Sequence, residues 1–253
     1  MSSYFIYDSI NMYRSDNTSS EGTSDGSTFT PGTAITDHER ANDENIGTVI
    51  SSVANNDGIQ YAVGSTATAD AAAVYFTGDD GVSSGTIINF HISDTTTIGA
   101  SKGTISAVSG AGWAVADLTE TSGTKFYSIF AGTVSNVSEV LIGRKLTFEV
   151  EPDVNVQSNI DYQNSVQRSL GGVEYVLNVN QGQEVITISF QNISSTFKTN
   201  LTTMQDHLLG QRKKFLYFDG TLFHWVRLEQ TLTFTEIADG RFSTQIRLRQ
   251  QIQ

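Results

Sequence analysis

Only one stretch of this 253-residue chain spaces its apolar residues for a helix. Phe197, Leu201, Met204 and Leu208 follow at intervals of four, three and four, which sets them on one face over about 195–209. Ser194 or Ser195 supplies the N-cap, and Gly210 is placed to end the helix in a left-handed conformation. Elsewhere the apolar residues come in short runs, which predicts strands. In the first part these are Tyr4–Ile10, Ile46–Val53, Gly58–Val63, Ala71–Phe76, Thr86–Ile92, Gly112–Leu118, Lys125–Ile129 and Val137–Ile142. Between them lie Asn55-Asn56-Asp57-Gly58, Gly78-Asp79-Asp80-Gly81, Ser109-Gly110-Ala111-Gly112 and Ser122-Gly123. Gly, Asn and Asp accept positive φ or bond back to the main chain, so these clusters read as turns. Short strands at fairly even spacing predict a β-sandwich or jelly roll.

The texture changes near residue 144, and two domains are expected, 1–143 and 144–253. In the second, Lys145–Val150 alternates, Asn155–Gly172 is polar and reads as an extended arm or loop, and Val173–Val179 and Val185–Phe190 form a hairpin. Four further strands follow the helix: Lys213–Phe218, Leu222–Leu228, Gln230–Ile237 and Arg241–Arg249, with Asp219-Gly220 and Ala238-Asp239-Gly240 as hairpin turns. The fold class is therefore mainly β: a jelly-roll sandwich, then a β-sandwich or sheet with one packed α-helix. Residues 14–31 are rich in Ser, Thr, Asp and Gly and are expected to form a long exposed loop.

The net charge of −12 is carried unevenly. Residues 1–143 hold sixteen Asp or Glu against four Lys or Arg, whereas residues 144–253 hold eleven of each. An acidic front half repels nucleic acid and anionic membranes, so neither is expected as a partner. No run approaches the eighteen or so apolar residues of a membrane-spanning helix. The N-terminus lacks the basic and apolar regions of a signal peptide. Cysteine is absent, which removes disulfides, thiolate–metal ligation and cysteine nucleophiles.

Other chemistry is equally unmarked. None of His38, His91, His207 and His224 has a second histidine at metal-ligand spacing. There is no Gly-x-Ser-x-Gly elbow and no phosphate-binding Gly-Lys-Ser/Thr loop. Asp79-Asp80 and Asp43-Glu44 lie among turn residues, and no EF-hand spacing accompanies them. Arg212-Lys213-Lys214 follows the helix, where basic charge suits the helix's negative end. No catalytic, cofactor-binding or metal-ligating residue is assigned, no cofactor is expected, and the chain is read as a non-enzyme.

A set of segments stands out between residues 40 and 148: Arg40-Ala41-Asn42-Asp43-Glu44-Asn45-Ile46, Thr68 through Phe76, Gly112-Trp113-Ala114-Val115, Thr124 through Ile129 and Ser138-Glu139-Val140-Leu141-Ile142-Gly143. On these segments, residues 40–148 resemble the discoidin-like (galactose-binding-like) jelly rolls of tailed-bacteriophage virion proteins. Residues 144–253 are similar to the companion domain of such proteins and to tail-tube and distal-tail proteins. The resemblance implies a structural component of a phage tail or baseplate, assembled in the host cytoplasm. Its implied partners are copies of itself in a ring and neighbouring tail proteins. The alternative is a receptor-binding adhesin whose jelly roll binds host surface glycans, with Tyr61, Tyr75 and Trp113 as candidate stacking residues. A hydrolase would need a concave acidic cleft with two carboxylates, which no motif marks.

Overall fold

The computed structural model describes residues 2–8, 10, 18–32, 35, 37–43, 48–50, 55–77, 87–106, 111–131, 137–152, 157–161, 164–168, 174–178 and 183–250, with backbone alone for the strands between 157 and 178. The protein is mainly β, as expected. Contacts divide it into two compact units, Ile6–Lys145 and Met1–Phe5 with Leu146–Gln253.

The front unit is organised by two long strands, β4 (Asp57–Phe76) and β7 (Gly112–Ala131), which follow β1 (Tyr4–Asp8), β2 (Thr18–Ser24) and β3 (Phe29–Pro31). β4 and β7 pair antiparallel from Gly58↔Ile129 to Phe76↔Gly112, with register shifts between Ala62 and Ala67 and between Ala69 and Ala71. Register shifts of this kind bend and twist a strand pair. The first half of β4 also pairs with β2, and the second half of β7 with β5 (Ile87–Ser93), which carries β6 (Gly103–Ile105). The second half of β4 pairs with β8 (Val137–Thr147). Residues from both halves of β4, including Ile59, Tyr61, Val74 and Phe76, share one buried cluster with Phe90, Phe126, Phe130 and Val140. The bent pair thus wraps both layers of a sandwich around a single core.

Two sequence expectations change here. Gly58–Val63 and Ala71–Phe76 are one strand rather than two, and so are Gly112–Leu118 and Lys125–Ile129. The Ser/Thr-rich stretch is also not simply a loop, because β2 pairs with both β3 and β4. Its small residues serve that pairing: a Cβ at Gly22 would meet the Phe29 ring at 2.8 Å. The predicted strand Ile46–Val53 lies partly outside the described residues, and within it Ile50 makes an isolated bridge to Val137.

In the rear unit β12 (Gln183–Ser194) lies between β9 (Gln157–Asp161) and β16 (Arg241–Gln250). The other edge of β16 takes β15 (Phe234–Ala238) along its first half and β14 (Phe223–Leu228) along its last residues, and β14 pairs with β13 (Lys214–Phe218). β10 (Asn164–Arg168) and β11 (Glu174–Asn178) form a separate ribbon. The polar arm expected at 155–172 therefore contains strands; its Gln and Asn suit an edge position, where one side of the backbone stays solvated.

The helix α1 (Ser195–His207) buries Phe197, Leu201 and Met204. Ser194 Oγ accepts the Phe197 N–H and donates to Glu149, so the cap is itself anchored. The helix stops before 209 because Leu209 already takes a left-handed φ of 51° ahead of Gly210. Phe5 packs edge-on to Phe148 and Phe215, and Phe148 edge-on to Phe190. That aromatic cluster is why the first five residues, placed by sequence in the front domain, belong to the rear unit.

β1 and β8 approach so closely that a Cβ at Gly143 would lie 1.8 Å from the Tyr7 carbonyl oxygen. Gly143→Ala must push these strands apart, at a cost of roughly 1–3 kcal/mol. Denaturant unfolding of the variant is expected to show a lowered midpoint; an unchanged one contradicts this packing.

Candidate functional site

The outer face of the front unit's β2–β4–β7–β5 layer carries a row of polar side chains in strict register. Ser20 stands opposite Gln60, Gln60 opposite Tyr127, and Tyr127 opposite His91. Phe90 pairs with Gly103, so Lys102 comes next in line beside His91. Side chains directly opposite one another point to the same face, and positions two residues along return to it. Asn89, Ser93 and Lys125 therefore border the row, and Thr104 Oγ1 donates to Asn89 Oδ1 at 2.9 Å.

The centre of the row is covered. The Asp94–Gly99 turn lies over Tyr127, whose hydroxyl donates to the Thr95 carbonyl at 2.7 Å and whose pKa burial pushes up to about 12. Phe29, Ile98 and Ile129 complete a small apolar cluster around this ring. Asp94 Oδ1 holds the turn by accepting the Thr124 N–H and hydroxyl.

Gln60 is 8% exposed, and its carboxamide oxygen has no hydrogen-bond partner among the described residues. A buried acceptor left in that state costs about 1–3 kcal/mol, so it calls for an explanation. His91 is half-buried. Its Nδ1 lies 3.1 Å from the Gly99 carbonyl, an acceptor only, so Nδ1 carries the proton and Nε2 keeps its lone pair. Burial lowers the His91 pKa and the Lys102 charge lowers it further, against the opposing pull of the Gly99 and Ala100 carbonyls. The face thus presents neutral groups that both donate and accept.

The residues singled out by sequence fall elsewhere. Tyr61 is completely buried and Tyr75 is 6% exposed, so neither offers a ring face to a sugar. Trp113 is half-buried against Tyr75, with ring centroids 5.2 Å apart. Asp43 accepts the Thr48 hydroxyl at 2.7 Å, while Glu44, Asp79 and Asp80 lie outside the described residues. His38 faces Glu39 at 3.3 Å. Among the described residues, no three His, Cys, Asp or Glu side chains are grouped to hold a metal. Lys213, expected beside the negative end of the helix, is 2% exposed, and its backbone N–H donates to the Leu208 carbonyl.

In the rear unit, Asp219 closes the β13–β14 turn. Its Oδ1 accepts the N–H groups of Thr221 and Leu222, and its Oδ2 lies 3.0 Å from His224 Nε2. Burial raises the Asp219 carboxyl, but the N–H of Leu222, the imidazole and the N–H of Thr221 outweigh it and hold the pKa low. This cluster clamps a turn.

No protein-family model and no curated protein matches the sequence. Among solved structures, the chain is similar to the family 32 carbohydrate-binding module from C. perfringens NanJ in complex with galactose. That likeness has 16% identity, 55% coverage of this chain and 98% of that one, and a TM-score of 0.36. The family 32 module of AlyQ, in complex with 4,5-unsaturated mannuronic acid, is 16% identical over 47% of this chain and 95% of that one, with a TM-score of 0.29. Truncated AlyQ, with its family 32 module and alginate lyase domains, is 15% identical over 88% of this chain, with a TM-score of 0.37; the chain spans 56% of that protein. No residue role passes from these proteins to this chain.

The depressed His91 pKa has a direct consequence. Because the folded value lies below the ordinary 6.5, the neutral ring's contribution to stability is present above that pH and is lost as pH falls through the folded value. An NMR titration is expected to find His91 more than half neutral at pH 6.5; a midpoint at or above that pH contradicts the described burial.

Proposed function

We propose that this chain is a non-catalytic binding protein whose Ile6–Lys145 unit holds carbohydrate on the outer face around Gln60. The row of Ser20, Gln60, Asn89 and His91 on one face carries the reading, with the buried Gln60 oxygen lacking a partner; a sugar hydroxyl meets that oxygen when the Gln60 side chain turns outward. A sugar hydroxyl donates and accepts at once, so it suits a carboxamide, a neutral imidazole with a free Nε2, an asparagine and a serine set along one face. Glycoside hydrolysis instead needs two carboxyl groups flanking the bond. The carboxylate at this rim, Asp94, is already engaged with Thr124.

Gln60→Met keeps the side chain's length and removes the polar group. It is expected to leave the thermal midpoint unchanged or raise it, while weakening saccharide binding at least about tenfold, the equivalent of ~1.4 kcal/mol. Calorimetric titration against a panel of oligosaccharides checks this. If the unaltered protein binds none of them, or the variant binds equally well, the reading fails.

We infer a place in a bacteriophage tail, in many copies, as the wider setting. It is supported by the resemblance of residues 40–148 and by a build of two β-modules with broad strand surfaces. Discrete rings in negative-stain images of the purified protein are the expected outcome, and a monodisperse monomer at assembly concentrations removes the setting.

A further inference from the structure

The charges around this face are distributed unlike those of the rest of the unit. Residues 6–145 contain six Lys or Arg against sixteen Asp or Glu. Arg40 pairs with Asp37, Arg144 with Asp70 and Glu120, and Lys145 with Asp117, while Arg14 lies outside the described residues. The remaining two, Lys102 and Lys125, both belong to the Gln60 face. Lys102 is in line with His91 and close enough to bear on its protonation. Lys125 stands opposite Ala62 and Ser93, two residues from Tyr127 along β7. Both are half-buried.

We propose that the carbohydrate recognised at this face is anionic, bearing a carboxylate or sulfate that Lys102 and Lys125 receive while its hydroxyls meet Gln60, Asn89 and His91. This rests on the carbohydrate reading above and narrows it. A neutral sugar would leave two cations on a face otherwise built of uncharged groups. The acidic remainder of the unit opposes an approaching anion only weakly, because at physiological salt charges beyond about 8 Å are largely screened. At contact the local lysines dominate, with Asp94 as the opposing charge at the rim.

The test uses the full chain and matched probes: oligogalacturonate with oligogalactose, oligoglucuronate with oligoglucose, oligomannuronate with oligomannose, and one sulfated with one unsulfated galactan oligomer. In at least one pair the anionic member is expected to bind roughly threefold to tenfold more tightly at low salt, the range two partly exposed charge contacts supply. That preference shrinks in high salt. Lys102→Gln with Lys125→Gln is expected to abolish it, leaving the far-ultraviolet circular dichroism and thermal midpoint of the unaltered protein. Gln60-dependent binding that favours neutral members overturns the anionic assignment and leaves the carbohydrate reading standing. So does a preference that survives in the double variant. Absence of binding to every probe overturns both.

Discussion

The pairing of β4 with β7 along their whole length is the constraint on which the front unit depends. Twenty-residue strands cannot stay flat, and the two register shifts place the bend between Ala62 and Ala71. On the inner side of the bend, Ile59, Tyr61, Val74 and Phe76 reach one core from two layers. On its outer side, the same alternation turns Gln60 to the opposite face. The site is therefore a consequence of register: a slip by one residue would bury Gln60 in the core and turn Ile59 and Tyr61 outward.

Much of this was legible in the sequence. Alternation and turn chemistry gave the mainly β class, most strand cores and the helix α1, with its Ser194 cap as one of two candidates. The failures share a physical cause. Ser122-Gly123 reads as a turn and Gly64-Ser65-Thr66 separates two apolar runs, yet both lie within continuous strands: Gly64 to Thr66 fall at the register shift between Ala62 and Ala67, while Ser122 and Gly123 pair with Thr68 and Ala67. The strands β9 and β10 carry little apolar signal, because an edge strand is specified by its neighbour's backbone more than by its own side chains.

The candidate site was harder to see. Tyr61, Tyr75 and Trp113 drew attention because aromatic rings suit sugars, but two of those rings complete the packing. Gln60 carried a signal of its own, as the strongly polar residue inside the apolar run Gly58–Val63. What singles it out is burial without a partner, which depends on neighbours up to sixty-seven positions away, such as Tyr127. The grouping of Lys102 with Lys125 is likewise a product of β5, β6 and β7 lying side by side.

The most direct measurement is an amide-resolved NMR titration of the isotope-labelled full chain with a bound oligosaccharide. The account predicts shifts concentrated on the Gln60 side-chain amide and on Ser20, Asn89, His91 and their strand neighbours. Shifts centred on Tyr75 and Trp113, or confined to residues 146–253, would contradict it.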